Sequence, residues 1–231
     1  MSAPGVIAAL DHTELAAAER AARELEGLVD AFKVGATLFA AHGPEALQAV
    51  GAHGPVFCDL KLHDIPEQVG SAVGALSAQG VWMLTVHASG GTAMVAAAAA
   101  AAAAVPEPPL VAAVTVLTSL DAGDLDAVGQ GRDPLAQVVR LARLATGAGA
   151  RALVCSAEEV GRLRTLLGPD VVLVVPGIRP AGSDHGDQAR VSSPASAARA
   201  GASFLVVGRP ITRAPDPRAA AEQIRAEVTG R

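Results

Sequence analysis

The chain has no tyrosine, one tryptophan and four phenylalanines in 231 residues. It therefore lacks the aromatic platforms on which single-stranded nucleic acids usually stack. Basic residues are also in deficit, 18 Lys and Arg against 23 Asp and Glu, for a net charge of −5, and they form no cluster. No nucleic-acid surface is expected from that balance. Cysteine is scarce: Cys58 and Cys155 are too few and too far apart for a disulfide framework or a zinc site, and each lies in an apolar run. Two buried, reduced thiols are expected. The most lipid-like stretch, residues 93–105, is mostly alanine and too short to span a bilayer. The first residues, MSAPGVIAALDHTE, lack a basic n-region and reach acidic side chains at once, so no signal peptide is read there. A cytoplasmic protein with a small-molecule ligand and no membrane partner is the expectation. An acidic whole can still bind an anion through a few local cations.

Hydrophobic residues make up 51% of the chain, enough for a substantial core. Short β-branched or apolar runs alternate with longer Ala/Leu/Glu/Arg segments from end to end. The strand candidates are 6–10, 31–34, 56–60, 82–86, 110–116, 152–155, 171–175 and 204–207. The helix candidates are 14–26, 44–50, 66–79, 92–104, 134–146, 157–167, 194–200 and 217–228. The strands lack polar alternation, as a parallel sheet covered on both faces requires. Several helices open at proline and several close on glycine. The alanine run at 96–104 reads as helix, alanine being the best helix former. With eight strand–helix units and no linker, residues 1–231 are expected to form a single (β/α)8 TIM barrel, an open doubly wound sheet being the alternative.

Barrel chemistry sits at the C-terminal ends of the strands. Those ends carry Asp11, Lys33, Asp59 with Lys61, His87, Thr118 and Ser156, followed by PGIR at 176–179 and Gly208-Arg209. Asp59 and Lys61 are two apart, which on an extended strand puts both on one face. With Lys33 at the neighbouring strand end they make a cation–anion–cation cluster at an apolar mouth. A lysine beside carboxylates can protonate a developing carbanion that fixed charges stabilise. The same residues would also serve as a structural ion pair between strands.

Asp64, with Pro66 in the first turn and Glu67 three residues on, has the spacing of an N-cap with a capping box, and by spacing alone the cap is the better reading. Gly208-Arg209 and the loop after the seventh strand lie where barrels commonly bind phosphate; a turn glycine beside a surface arginine is the plainer alternative. Residues 176–190, PGIRPAGSDHGDQAR, form a long aperiodic loop suited to a lid, with Gln188 as an uncharged hydrogen-bonding member. No histidine pair has metal-ligand spacing and no Ser or Cys sits in a nucleophile elbow, so no metal site is read from the sequence. No histidine is given a role.

At DLKLHDIP (59–66) the sequence resembles the bacterial orotidine 5′-monophosphate decarboxylase family. LDHTE at 10–14, FKVG at 32–35, TVHASGG at 85–91, VTVLTS at 114–119, VPGIRP at 175–180 and VVGRPIT at 206–212 resemble family segments in the same order. The resemblance implies a cofactor-free decarboxylase that makes UMP for pyrimidine biosynthesis, with a nucleotide substrate and a homodimer with shared active sites. It implies Asp11 on a ribose hydroxyl, Lys33 between sugar and charge network, Asp59 beside the substrate carboxylate, and Lys61 as proton donor to C6. Asp64 would reach a second subunit's site, which turns its reading from cap towards catalysis. Thr118 would meet the pyrimidine edge; Gln188, Gly208 and Arg209 would hold the phosphate, with Arg179 in the closing loop. Gln68 stands where the family often has a threonine that crosses the dimer interface. Sister barrels acting on sugar phosphates, such as 3-keto-gulonate 6-phosphate decarboxylase, hold magnesium with an acidic residue where this chain has Lys33. A non-catalytic nucleotide-binding barrel is the rival of another class.

Overall fold

Apolar runs without polar alternation become strands covered on both faces. In the computed structural model, which describes residues 3–180 and 192–230, they are β1 (Gly5–Ala9), β2 (Ala31–Gly35), β3 (Val56–Leu62), β4 (Met83–His87), β5 (Leu110–Val114), β6 (Ala152–Val154), β7 (Val172–Val175) and β8 (Phe204–Val207). All pair in parallel in sequence order, and β8 pairs with β1 to close the barrel. The expected (β/α)8 barrel is therefore the fold.

The connecting helices are α1 (Leu15–Leu25), α2 (Ala36–His42), α3 (Pro44–Gly51), α4 (Pro66–Ser77), α5 (Gly91–Ala103), α6 (Ala122–Ala127), α7 (Pro134–Gly147), α8 (Ala157–Leu167), α9 (Pro194–Ala200), α10 (Arg209–Thr212) and α11 (Pro217–Thr229). Five of them, α3, α4, α7, α9 and α11, begin at a proline, whose missing N–H costs nothing at a position without an intrahelical acceptor. Asp133, Ser193 and Asp216 cap three of these by accepting a backbone N–H from the first turn. None of the helices among the described residues is long and apolar enough to cross a membrane.

Period-two alternation divides the core into two layers. Val6, Ala8, Phe32, Val34, Cys58, Leu84 and Val86 point outward and pack with the helices. Ile7, Ala9, Ala31, Phe57, Met83, Ala112, Ala152, Val174 and Val206 point inward and fill the barrel. Phe57 is the largest of these fully buried side chains, and such a burial contributes about 1.5–3 kcal/mol. Both cysteines are buried and neither forms a disulfide, as expected. Burial, reinforced by the Asp59 charge, pushes the Cys58 thiol up to about 12.

At the N-terminal end of the barrel the charges are spent on structure. Trp82 and Phe204 close the base edge-on, with ring centroids 5.0 Å apart. The Arg164 guanidinium donates to the carbonyls of Gly168, Pro169, Val171 and Gly201 and to the Ser203 hydroxyl.

Candidate active site

The inward-facing residue next after each apolar inner-layer residue is where the chemistry lies. Along β1 it is Asp11 after Ala9, along β2 Lys33 after Ala31, along β3 Asp59 after Phe57, and along β4 Thr85 after Met83. Pairing of Gly35 with Asp59 brings the end of β2 level with Asp59. The result is an alternating chain of charges. Lys33 Nζ donates to Asp11 Oδ1 at 2.8 Å and stands 3.7 Å from Asp59 Oδ2. Lys61 Nζ donates to both Asp59 oxygens at 2.9 Å. The Lys33 and Asp59 side chains are only 11% and 12% exposed, whereas that of Lys61 is 36% exposed, so the last cation is the accessible one.

Burial alone would raise the Asp59 carboxyl, but Lys33, Lys61 and the hydrogen bonds from Lys61 and Thr85 outweigh it and hold it below the ordinary aspartate value. The acid is thus kept ionised in a site that would otherwise neutralise it.

Gly35 keeps this cluster in place. A Cβ there would come 2.8 Å from Lys33 Nζ and 3.0 Å from Asp11 Oδ1, so any side chain would push the ion pair apart. Gly208 differs. A Cβ there would meet Ala9 and Asp11 at no less than 3.6 Å, so neighbouring atoms leave room for a side chain, and glycine is favoured instead by the backbone, φ −105° and ψ −106°.

The bulge at Lys61 was not legible in the sequence. Cys58 pairs with Leu84 but Leu62 pairs with Val86, so β3 spends four residues where β4 spends two. Lys61 takes φ 52°, the sole positive φ outside glycine among the described residues. Asp59 and Lys61 do meet, but through this kink and not through simple extended alternation. Thr85, unmarked in the sequence reading, accepts from Lys61 N at 2.8 Å and donates to Asp59 Oδ1 at 3.0 Å. His87 and His63 stack beside this cluster, ring centroids 5.4 Å apart. Burial, then His63 and Lys61, lower the His87 imidazole below the usual histidine value against the pull of Asp59.

A cavity of about 650 Å³ opens over the cluster. Its floor includes Ala9, Phe57, Val114, Val154, Val174 and Val206, and its walls carry Asp11, Lys33, Asp59, Lys61, Thr118, Arg179, Gly208 and Arg209. Eight of the expected site residues are thus brought together. His12 and Arg213, which sequence reading passed over, also line it. His12 follows Asp11 directly and Arg213 lies one turn after Arg209, so position relative to a strand end was the available signal. The ends of the loop after β7 are tied by Arg179 N to Ser192 O (2.9 Å) and by Ser192 N to Gly177 O (3.3 Å). Gln188, and with it most of the expected lid, lies outside the described residues.

Asp64 and Gln68 do not line the cavity; both are exposed, beside Ile65, which is 62% exposed. The capping expectation for Asp64 is corrected. The N-cap of α4 is Ile65, with no side-chain capping bond, and the Asp64 carboxylate accepts only from the adjacent Ile65 N at 2.6 Å. Since Pro66 occupies the first helical position, the cap falls on the residue just before it, one place beyond Asp64.

Residues 4–224 match the family described as "Orotidine 5'-phosphate decarboxylase / HUMPS family". The chain is 56% identical over 222 residues to a protein named orotidine 5'-phosphate decarboxylase from Anaeromyxobacter sp. (strain K), covering 96% of each. It is 50% identical over 230 residues to one of the same name from Thermobifida fusca (strain YX), covering 99% of this chain and 97% of that one. The crystal structure of orotidine 5'-phosphate decarboxylase from Lactobacillus acidophilus superposes with a TM-score of 0.85 at 36% identity, over 98% of this chain and 99% of the other. On fold, site and these similarities together, the chain belongs to the orotidine 5'-phosphate decarboxylase / HUMPS family.

Proposed function

We propose that this protein is a cytoplasmic orotidine 5′-monophosphate decarboxylase, a carboxy-lyase that converts the nucleotide to UMP and carbon dioxide without metal or organic cofactor. The observation that carries the reading is the alternating chain Asp11–Lys33–Asp59–Lys61 on one wall of a cavity with an apolar floor. Its two middle members, Lys33 and Asp59, have side chains only 11% and 12% exposed, and keeping charges together at such low exposure is costly unless they are used. The names of its relatives support the same reaction.

Breaking the bond between C6 and the carboxylate leaves the electron pair on C6 as a vinylic carbanion with no well-placed carbonyl to spread it. The protein must then lower the barrier with positioned charge. Lys61, the more exposed of the two lysines, supplies a cation to the developing charge and the proton that becomes the C6–H bond. Asp59, beside the departing carboxylate, opposes the ground state. Asp11 and Lys33 take the ribose, and Thr118 takes the pyrimidine edge. Gly208, Arg209, Arg179 and Gln188 take the 5′-phosphate, far from the reacting carbon, so their binding energy serves to close the site. Asp64 and Gln68, exposed on a single chain, complete the site of a second copy in a homodimer. Lys33 occupies the strand end where a magnesium-dependent sister enzyme needs an acid, so a divalent cation would be repelled there.

The experiment is to follow the ultraviolet absorbance of orotidine 5′-monophosphate incubated with purified protein in excess EDTA. Loss of the orotate-type absorbance, absent with Lys61→Ala, is the expected result. No change with folded protein would overturn the reading and direct attention to sugar phosphates with magnesium.

A further inference from the structure

The bulge at Lys61 leaves two groups in need of partners. With β3 out of register against β4 at this point, the Lys61 backbone N–H has lost its place in the strand ladder. The Lys61 backbone is also held at φ 52°, a conformation that costs a non-glycine residue energy and persists only where its surroundings enforce it. The Asp59 carboxylate, for its part, must be aimed at two cations at once. One hydroxyl meets both needs: Thr85, 1% exposed, receives the Lys61 N–H at 2.8 Å and gives its own proton to Asp59 Oδ1 at 3.0 Å.

We propose that Thr85 is a positioning residue, whose hydroxyl clamps the Lys61 bulge and the Asp59 carboxylate into one fixed arrangement for proton delivery. The inference rests on the decarboxylase reading and adds to it a residue that does not line the cavity. The polarity of the clamp is set by chemistry. An ionised carboxylate only accepts and a backbone N–H only donates, so the hydroxyl has one way to satisfy both. Oδ1 is thereby held by Thr85 and Lys61, leaving Oδ2 between Lys61 at 2.9 Å and Lys33 at 3.7 Å. Without the hydroxyl, the partly buried Lys61 N–H loses its partner, and the Asp59 carboxylate is held by the two lysines alone.

The test compares Thr85→Val, Thr85→Ala and Thr85→Ser with wild type for kcat and KM on orotidine 5′-monophosphate across pH. Val keeps the shape and removes the hydroxyl. Ala and Ser share the lost methyl and differ only in the hydroxyl, so that pair decides the matter if Val does not fold. The expected result is that Val and Ala lose kcat by about 10- to 100-fold, the cost of one orphaned buried donor, while Ser stays within about threefold and KM moves little.

The pH profile separates positioning from packing. The groups facing Asp59 are Lys33 from β2, Lys61 from β3, His87 from β4, and Asp11 behind Lys33 at the end of β1; the neighbouring Cys58 thiol is neutral in the working range. Removing the Thr85 donor takes away one interaction that favours the ionised carboxylate. The acid limb of kcat should then move to higher pH in Val and Ala but not in Ser. The inference is overturned if Ser falls as far as Ala, if the loss appears in KM, or if Val is unaltered in kcat and acid limb. An inactive wild type would instead overturn the decarboxylase reading itself.

Discussion

The two halves of the barrel rim are built on different principles. From β1 to β4 the polar groups stand on the strands or directly at their ends, and each is fixed by a neighbour: Lys33 by Asp11, Asp59 by Lys61 and Thr85, and the Lys61 backbone by Thr85. From β5 to β8 the strands present Val114, Val154, Val174 and Val206 to the cavity, and the polar groups, Thr118, Arg179 and Arg209, come from the segments that follow. Strands hold a side chain more closely than loops do, and a reacting atom needs that precision, whereas a remote anionic group needs only charge and reach. On the proposed reading, the groups at the reacting carbon, Asp59 and Lys61, belong to the first half and the phosphate contacts to the second.

The sharpest way to break that division is Lys61→Ala. Losing both the proton donor and the nearby cation should lower kcat by about 10³-fold or more, with UMP binding measured by calorimetry retained. Retained turnover would move the chemistry elsewhere. Asp64→Asn tests whether the first half borrows a charge from a second copy. Asn removes the charge but keeps an acceptor for the Ile65 N–H, so the thermal midpoint should hold while kcat falls about 10²-fold. Unchanged turnover would leave Asp64 a turn residue only. Gly35→Ala perturbs the strand-borne cluster without touching its charges. The new Cβ would come 2.8 Å from Lys33 Nζ, the far end of a flexible side chain, so the lysine should swing aside at little cost in stability while activity falls, and a silent substitution would show the cluster to be pliant.

The smallest effect is on stability against pH. Asp59 titrates below its ordinary value, so its charged form contributes stability that is fully present above the unfolded carboxylate pKa of about 3.9. That contribution is lost as pH falls from there through the depressed folded value. The stability gap between wild type and Asp59→Asn should therefore be flat at neutral pH and shrink in that acid window. A gap that widened on acidification would reverse the assigned sign.

Much of this was legible in the residues. Eight apolar runs without alternation gave a parallel barrel, and the charged residues just past them gave its mouth. Three short helices were not legible. Ala36–His42 directly follows a strand, and Ala122–Ala127 and Arg209–Thr212 are too brief to show a period. The cap of α4 was placed one residue early because Asp64 offered cap chemistry, although Pro66 had already set Ile65 as the boundary. Thr85 was invisible for a deeper reason. A threonine in an apolar run reads as a β-branched strand former, and its partners exist only because β3 and β4 slip by two residues, a property of the paired strands and not of either sequence. Gly35 likewise reads as a strand end until the Lys33–Asp11 pair is seen against it.

The most direct test of the division of labour uses two substrates and two variants. kcat/KM would be measured for orotidine 5′-monophosphate and for orotidine, which lacks the phosphate, with wild type, Lys61→Ala and Arg209→Ala. The account predicts that Lys61→Ala loses activity on both substrates. It predicts that Arg209→Ala loses about 10- to 100-fold on the nucleotide, the worth of a charged hydrogen bond, and little on the nucleoside. Equal losses on both substrates for Arg209→Ala would contradict the separation of grip from chemistry.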